Sequence, residues 1–245
     1  MSWFRIPRPR PKAELRLVCF PHAGGAATAY RQWADLLPES IELIAVQYPG
    51  RQDRFQEPPL QHFGELVDGV VAALPELAGP TAYFGHSMGA TVAFEAARRM
   101  EAVGRGPERL FVSARVAPAV TTRLGLTFES EDEVLTYIRE LGGAGAALLE
   151  NQDLRELALP MLRADFRLME TYEYHPGARL ECPITVLAGS TDHTFGVADA
   201  AAWAQHTVAG ISTAELPGGH FYTEEVPGRI TELITRSFTA EGVHP

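Results

Sequence analysis

The sequence has only two cysteines, Cys19 and Cys182, and no apolar run long enough to span a bilayer. Two cysteines cannot build a disulfide framework, and each lies at or beside an apolar, strand-like run, which predicts two buried, reduced thiols. No apolar segment follows the N-terminal arginines, so no secretory leader is expected and the reading is of a soluble, cytoplasmic protein. An excess of positive charge is also missing. The formal net charge is -10, which argues against broad nucleic-acid binding. Walker-type loops, dinucleotide fingerprints and Cys/His metal spacings are absent, so neither a cofactor nor a metal is expected.

What is present is ordinary globular composition, 46% hydrophobic and 21% charged over 245 residues. That length suits one α/β domain over 1–245 with an insertion. The segment "RIPRPRPK" is basic and proline-spaced, and residues 1–13 are expected as an extended, poorly ordered N-terminal arm. Short apolar runs then alternate with amphipathic ones. Strands are expected at 15–20, 41–47, 81–85, 109–114, 184–189 and near 212–216. Helices are expected over 28–37, 62–77, 87–100, 198–206 and 224–240. This rhythm predicts an α/β fold with a mostly parallel sheet and helices on both faces.

The rhythm breaks between about 118 and 176, where no convincing strand is found. A helix is expected over 131–141, then a flexible joint at "GGAGAA", then a helix over roughly 153–174. Leu162, Phe166, Met169 and Tyr172 recur there at helical spacing. Pro160 marks either its true start or a kink. A helical insertion in an α/β sheet is a natural lid. The same Leu and Met stripe also suits plain core packing.

The chemistry centres on "YFGHSMGAT", which holds Ser87 between Gly85 and Gly89. A serine hydroxyl needs a base to take its proton, a third group to orient that base, and donors for the oxyanion. Gly-x-Ser-x-Gly supplies the geometry when it links a strand to a helix, and the flanking segments fit that context. Ser87 is also a good helix N-cap, a purely structural role. "ITVLAGSTD" places Asp192 just after a strand, at the sheet edge where α/β sites form. "LPGGHFY" places His220 in a later loop, where Gly218 and Gly219 permit a sharp turn. The order Ser87, Asp192, His220 is that of the α/β-hydrolases. Asp165 and Asp199 are weaker acid candidates because each falls in an expected helix. The oxyanion donors expected on the same template are the backbone amides of Met88, after the serine, and Ala23, in "FPHAGG". His22 would shape that loop, His86 would be structural with its ring turned from the nucleophile, and His193 would be exposed.

Taken together, "FPHAGG", "YPGRQDR", "GHSMGA", "GSTDH" and "GGHFY" resemble the type II thioesterases of polyketide and nonribosomal-peptide synthesis. The resemblance spans nearly the whole chain, including the opening "WFR"; Thr223 stands where that family usually has leucine. It implies a discrete α/β-hydrolase that cleaves acyl thioesters from the phosphopantetheine arm of carrier proteins, clearing misprimed or stalled modules. It implies Ser87 as nucleophile, His220 as base, Asp192 as its orienter, and Ala23 and Met88 as oxyanion amides. The expected partner is an acyl or peptidyl carrier protein, engaged transiently by a monomer. Arg51 and Arg54 could steer that partner, or be solvated or paired internally. Other readings are a medium-chain fatty-acyl thioesterase, a carboxylesterase or acyltransferase, and a non-catalytic carrier-binding protein.

Overall fold

A computed structural model describes residues 3–74, 77, 79–120, 127–143 and 149–239. Seven strands form one sheet: β1 (Phe4–Arg5), β2 (Leu15–Phe20), β3 (Ile41–Val46), β4 (Thr81–His86), β5 (Arg109–Ser113), β6 (Ile184–Gly189) and β7 (Ile211–Leu216). Their order is β1-β3-β2-β4-β5-β6-β7, and every pairing is parallel except β1 with β3. The helices are α1 (Trp33–Leu36), α2 (Phe63–Ala73), α3 (Met88–Glu101), α4 (Glu131–Leu141), α5 (Gln152–Glu170), α6 (Tyr222–Glu225) and α7 (Pro227–Thr239).

Period-two alternation assigns each strand residue to one of two apolar layers. In β2, Val18 and Phe20 join one layer and Leu17 and Cys19 the other. In β4, Tyr83 opposes Ala82 and Phe84; in β5, Leu110 and Val112 oppose Phe111. The first layer is completed by α2 and α3, the second by α1 and α7. Both cysteines are free and buried, as their apolar surroundings predict.

Three local expectations need correction. Residues 3–13 are not a poorly ordered arm. Phe4 and Arg5 pair antiparallel with Val46 and Ala45, and Gln47 donates to the Trp3 carbonyl. Arg10 is buried, and its guanidinium donates to the carbonyls of Ala34, Leu37, Pro38 and Ile41. Those carbonyls include the end of α1, where a cation satisfies acceptors that the helix cannot. The expected helix over 28–37 is a 3-10 turn (Ala27–Tyr30) followed by the single turn α1. The expected C-terminal helix is two pieces, because Pro227 opens α7 and has no N–H to continue α6.

Between β5 and β6, α4 starts on Ser130, whose hydroxyl accepts from the Glu133 amide, and α5 on Asn151, which accepts from Leu154. Pro160 is not the start of α5; it lies inside the helix. Phe128, Val134, Leu135, Ile138, Leu149, Leu159, Leu162 and Phe166 form a third apolar cluster, with Ala23 packed against it. Residues 144–147 of the "GGAGAA" joint lie outside the described residues. No helix among the described residues is long and apolar enough to cross a membrane.

His206 sits in the first layer against Phe94, Tyr174 and Trp203, 2% exposed, and its Nε2 has no hydrogen-bond partner. Burial, then the Arg98 charge, depresses its pKa from 6.5 to about 4. The folded value is below the unfolded one, so the unfolded chain takes the proton first as pH falls. Stability is therefore lost between pH 6.5 and 4. His206→Phe is expected to flatten that part of the stability curve, read from urea midpoints across the same pH range.

Candidate active site

Ser87 lies between the end of β4 and the start of α3 with φ 53° and ψ -118°, a conformation that costs an L-residue energy. The turn can be this tight because its neighbours lack side chains. A Cβ on Gly85 would lie 2.2 Å from the Gly89 carbonyl oxygen, and one on Gly89 would lie 2.0 Å from that of Phe20. The elbow is thereby pressed against the end of β2, from which the His22–Ala23 loop departs. The Ser87 amide donates to the Ser113 carbonyl at 2.8 Å and ties the turn to β5. Met88 opens α3, so its amide has no acceptor within the helix.

Asp192 follows β6 and His220 follows β7, both at the carboxyl edge of the sheet. Their loops meet backbone to backbone at Gly189, where a Cβ would lie 2.4 Å from the Gly219 carbonyl oxygen. Gly218 takes φ +121° and makes the expected sharp turn, whereas a Cβ on Gly219 would meet only Thr191 Oγ1, at an ordinary 4.0 Å. The result is one continuous hydrogen-bonded chain. His220 Nδ1–H donates to Asp192 Oδ2 at 2.9 Å, and Ser87 Oγ–H donates to His220 Nε2 at 3.1 Å. Asp165 and Asp199 take no part, since Asp165 is bound to Arg51 and Asp199 accepts from the Gly196 amide.

One member of this array escaped the sequence reading. Thr194 donates its hydroxyl (2.7 Å) and its amide (2.8 Å) to Asp192 Oδ1, and the same hydroxyl oxygen lies 3.1 Å from His220 Nδ1. The Asp-x-Thr spacing is a common local turn and is a weak signal without the fold. Burial pushes the Asp192 carboxyl up, but the hydrogen bonds from His220 and Thr194 and the His220 charge outweigh it, and its pKa is lowered.

The neighbouring histidines are held neutral. Burial foremost, then the His220 and Arg51 charges, lowers His22 to about 4. Burial, then His220 and His22, lowers His86 far below its ordinary value. The His86 ring does turn from Ser87: its Nδ1 bonds Ser113 Oγ at 2.8 Å, and Ser113 Oγ in turn meets Tyr222 OH at 2.5 Å. It packs behind His220 at 5.3 Å between ring centroids. Two neutral imidazoles beside His220 add no charge of their own to its surroundings. His193 is exposed, as expected.

Ser87, Met88, Ala23 and His220 face a cavity of about 650 Å3. Phe128, Ile138, Leu162, Phe166 and Met169 make its wall predominantly apolar, with Arg115 and Glu170 also on the lining. Arg51 and Arg54 do not present charge to a partner. They are only 5% and 4% exposed, Arg51 bound to Asp165 and Arg54 to Glu57 and the Gln47 carbonyl. No group of three or more His, Cys, Asp or Glu among the described residues could hold a metal.

A mostly parallel sheet with Ser, Asp and His in this chain order at its carboxyl edge defines an α/β-hydrolase. Comparison with known proteins narrows the class. The Thioesterase domain family matches residues 15–238. The chain is 42% identical over 227 residues to the thioesterase PikA5 of Streptomyces venezuelae, across 91% of this chain and 80% of that one. It is 38% identical to a probable cadicidin biosynthesis thioesterase of Streptomyces griseus, across 99% of this chain but 66% of that relative. Its fold matches the type II thioesterase BorB from the borrelidin biosynthetic cluster with a TM-score of 0.88 and 42% identity, covering 96% of this chain and 98% of that one. The protein belongs to the thioesterase family and, within it, is a type II thioesterase.

Two outcomes follow from the local geometry. Ser87→Gly removes the penalty of the elbow and is expected to raise stability by about 1–3 kcal/mol in denaturant titration while hydrolysis is lost. Thr194→Val deletes one bond to an ionised, buried carboxylate, worth roughly 1.5–3 kcal/mol. Steady-state kinetics on an acyl thioester should show kcat/KM lower by about tenfold or more, with folding retained through the Thr194 amide.

Proposed function

We propose that this thioesterase hydrolyses acyl thioesters carried on the phosphopantetheine arm of acyl or peptidyl carrier proteins. Its role is then to clear misprimed or stalled modules of a polyketide or nonribosomal-peptide synthase. The observation that carries this reading is a mostly apolar cavity lined by the Ser87–His220 pair, in a chain similar to a type II thioesterase from a biosynthetic cluster. The cavity suits an acyl chain and the two amides suit a thioester carbonyl.

In the proposed mechanism Ser87 is the nucleophile, His220 the general base and Asp192 the group that orients it. Asp192 holds the Nδ1–H tautomer and so leaves Nε2 to accept the Ser87 proton. Ser87 Oγ bonds to the thioester carbonyl carbon, and the oxyanion is held by the Ala23 and Met88 amides. The C–S bond breaks, and the imidazolium returns its proton to the departing thiolate. His220 then takes a proton from water, whose oxygen bonds to the acyl carbon. The Ser87 ester bond breaks, with its proton restored, and the carboxylic acid leaves. The reaction requires no cofactor, and the Ser–His–Asp set comes from one chain, as a monomer with a transient carrier contact requires.

The test is hydrolysis of a panel of acyl-loaded carrier proteins, each set beside the matching small thioester and oxygen ester. Preference for the carrier-bound thioester, abolished by Ser87→Ala, is the expected result. Equal turnover of oxygen esters, or retained activity in Ser87→Ala, would remove the reading.

A further inference from the structure

The His22–Gly25 turn that bears the Ala23 amide is gripped from outside its own strand. Within the turn, the Gly25 amide donates to the His22 carbonyl at 2.9 Å. A trans peptide then points the Ala23 N–H the opposite way. The next amide, Gly24, donates at 2.7 Å to Asp165 Oδ2, which belongs to α5, far away in sequence. Asp165 is 2% exposed and is held by both arms of Arg51, with Nη1 at 2.7 Å and Nη2 at 2.8 Å. Arg51 Nη1 also donates to the Gly25 carbonyl at 3.0 Å. One buried ion pair thus holds a donor and an acceptor of the same turn. Leu162, one helical turn before Asp165, packs so closely on Gly24 that a Cβ there would meet it at 2.4 Å.

We propose that Arg51 and Asp165 are positioning residues that couple the covering helix α5 to the oxyanion turn, so that the Ala23 amide is correctly aimed only when α5 is seated. The pair touches neither the Ser87 hydroxyl nor the His220 ring, so it acts on the charge that develops at the carbonyl oxygen and not on nucleophile activation. A bidentate guanidinium–carboxylate pair suits this task because it fixes direction as well as distance. With α5 lifted, Asp165 leaves, the Gly24 contact ends, and the Arg51 guanidinium loses the carboxylate that fixes its direction toward the Gly25 carbonyl. The inference rests on the hydrolytic reading above and deepens it.

The experiment uses Asp165→Asn in the full chain, with kcat and KM measured on an acyl thioester. Affinities are measured in parallel for a trifluoromethyl ketone analogue, which forms an oxyanion on Ser87, and for a thioether analogue, which does not. We expect kcat lower by about tenfold or more, KM near the wild-type value, and ketone affinity reduced in step with kcat/KM while thioether affinity holds. Unchanged kcat in a folded variant, or equal loss of both affinities, would overturn the proposal. Should Asp165→Asn not fold, Arg51→Lys, which keeps the charge but loses the fork, is read by the same four quantities. Failure of both variants to fold would make the pair a folding determinant and also overturn the proposal. Failure of the wild-type chain to hydrolyse thioesters would instead defeat the functional reading on which the inference rests.

Discussion

The contact between the Ser87 elbow and the end of β2 is the constraint on which the site depends. Only the missing side chain of Gly89 lets α3 start beneath the Phe20 and Pro21 carbonyls. This brings two backbone segments, 82–90 and 20–25, to the same edge of the sheet. A strained residue at their junction is sustained by the sheet on both sides: β4 pairs with β2 and with β5, and the Ser87 amide is spent on Ser113. Strain of this kind persists where the surroundings over-determine it, and it exposes the hydroxyl at the head of a helix.

Around that contact, charge is rationed. The aspartate stays ionised despite burial because three donors converge on it, two from Thr194 and one from His220. His22 and His86 are desolvated to the point of neutrality. An imidazolium on His220 would then meet the Asp192 carboxylate directly, aligned on its Nδ1 side. A water-poor setting strengthens that interaction relative to bulk solvent.

The covering segment has its own apolar cluster, yet it is pinned by a polar device. Burying two charges is costly, and an apolar pair of equal volume would often be as stable. What Arg51 and Asp165 add is direction. Apart from Arg51 Nε, which donates to the Pro49 carbonyl, each of their side-chain bonds ends on a defined atom of the other or of the 22–25 turn. Apolar packing by Leu162 and Phe166 tolerates sliding; a forked ion pair does not.

Much of this was legible in the residues. Short apolar runs marked β2 to β7 to within a residue or two at each end, because the strands β2 to β6, buried on both faces, leave few other arrangements. Glycine placement and the order of Ser87, Asp192 and His220 marked the site, because those positions are constrained by local backbone shape. β1 was missed since two residues just ahead of a proline-spaced stretch carry no pattern; its pairing is decided by β3 offering an open edge. Internal pairing was one of the readings open for Arg51 and Arg54, but the partnership of Arg51 with Asp165 was out of reach. A charged side chain looks the same in sequence whether it meets water or a partner 114 positions away. The sequence by itself determined the strands, the longer helices and the order of Ser87, Asp192 and His220, through apolar patterning and local sterics. Tertiary structure alone decided which polar groups face each other, because that depends on long-range contacts which no local pattern encodes.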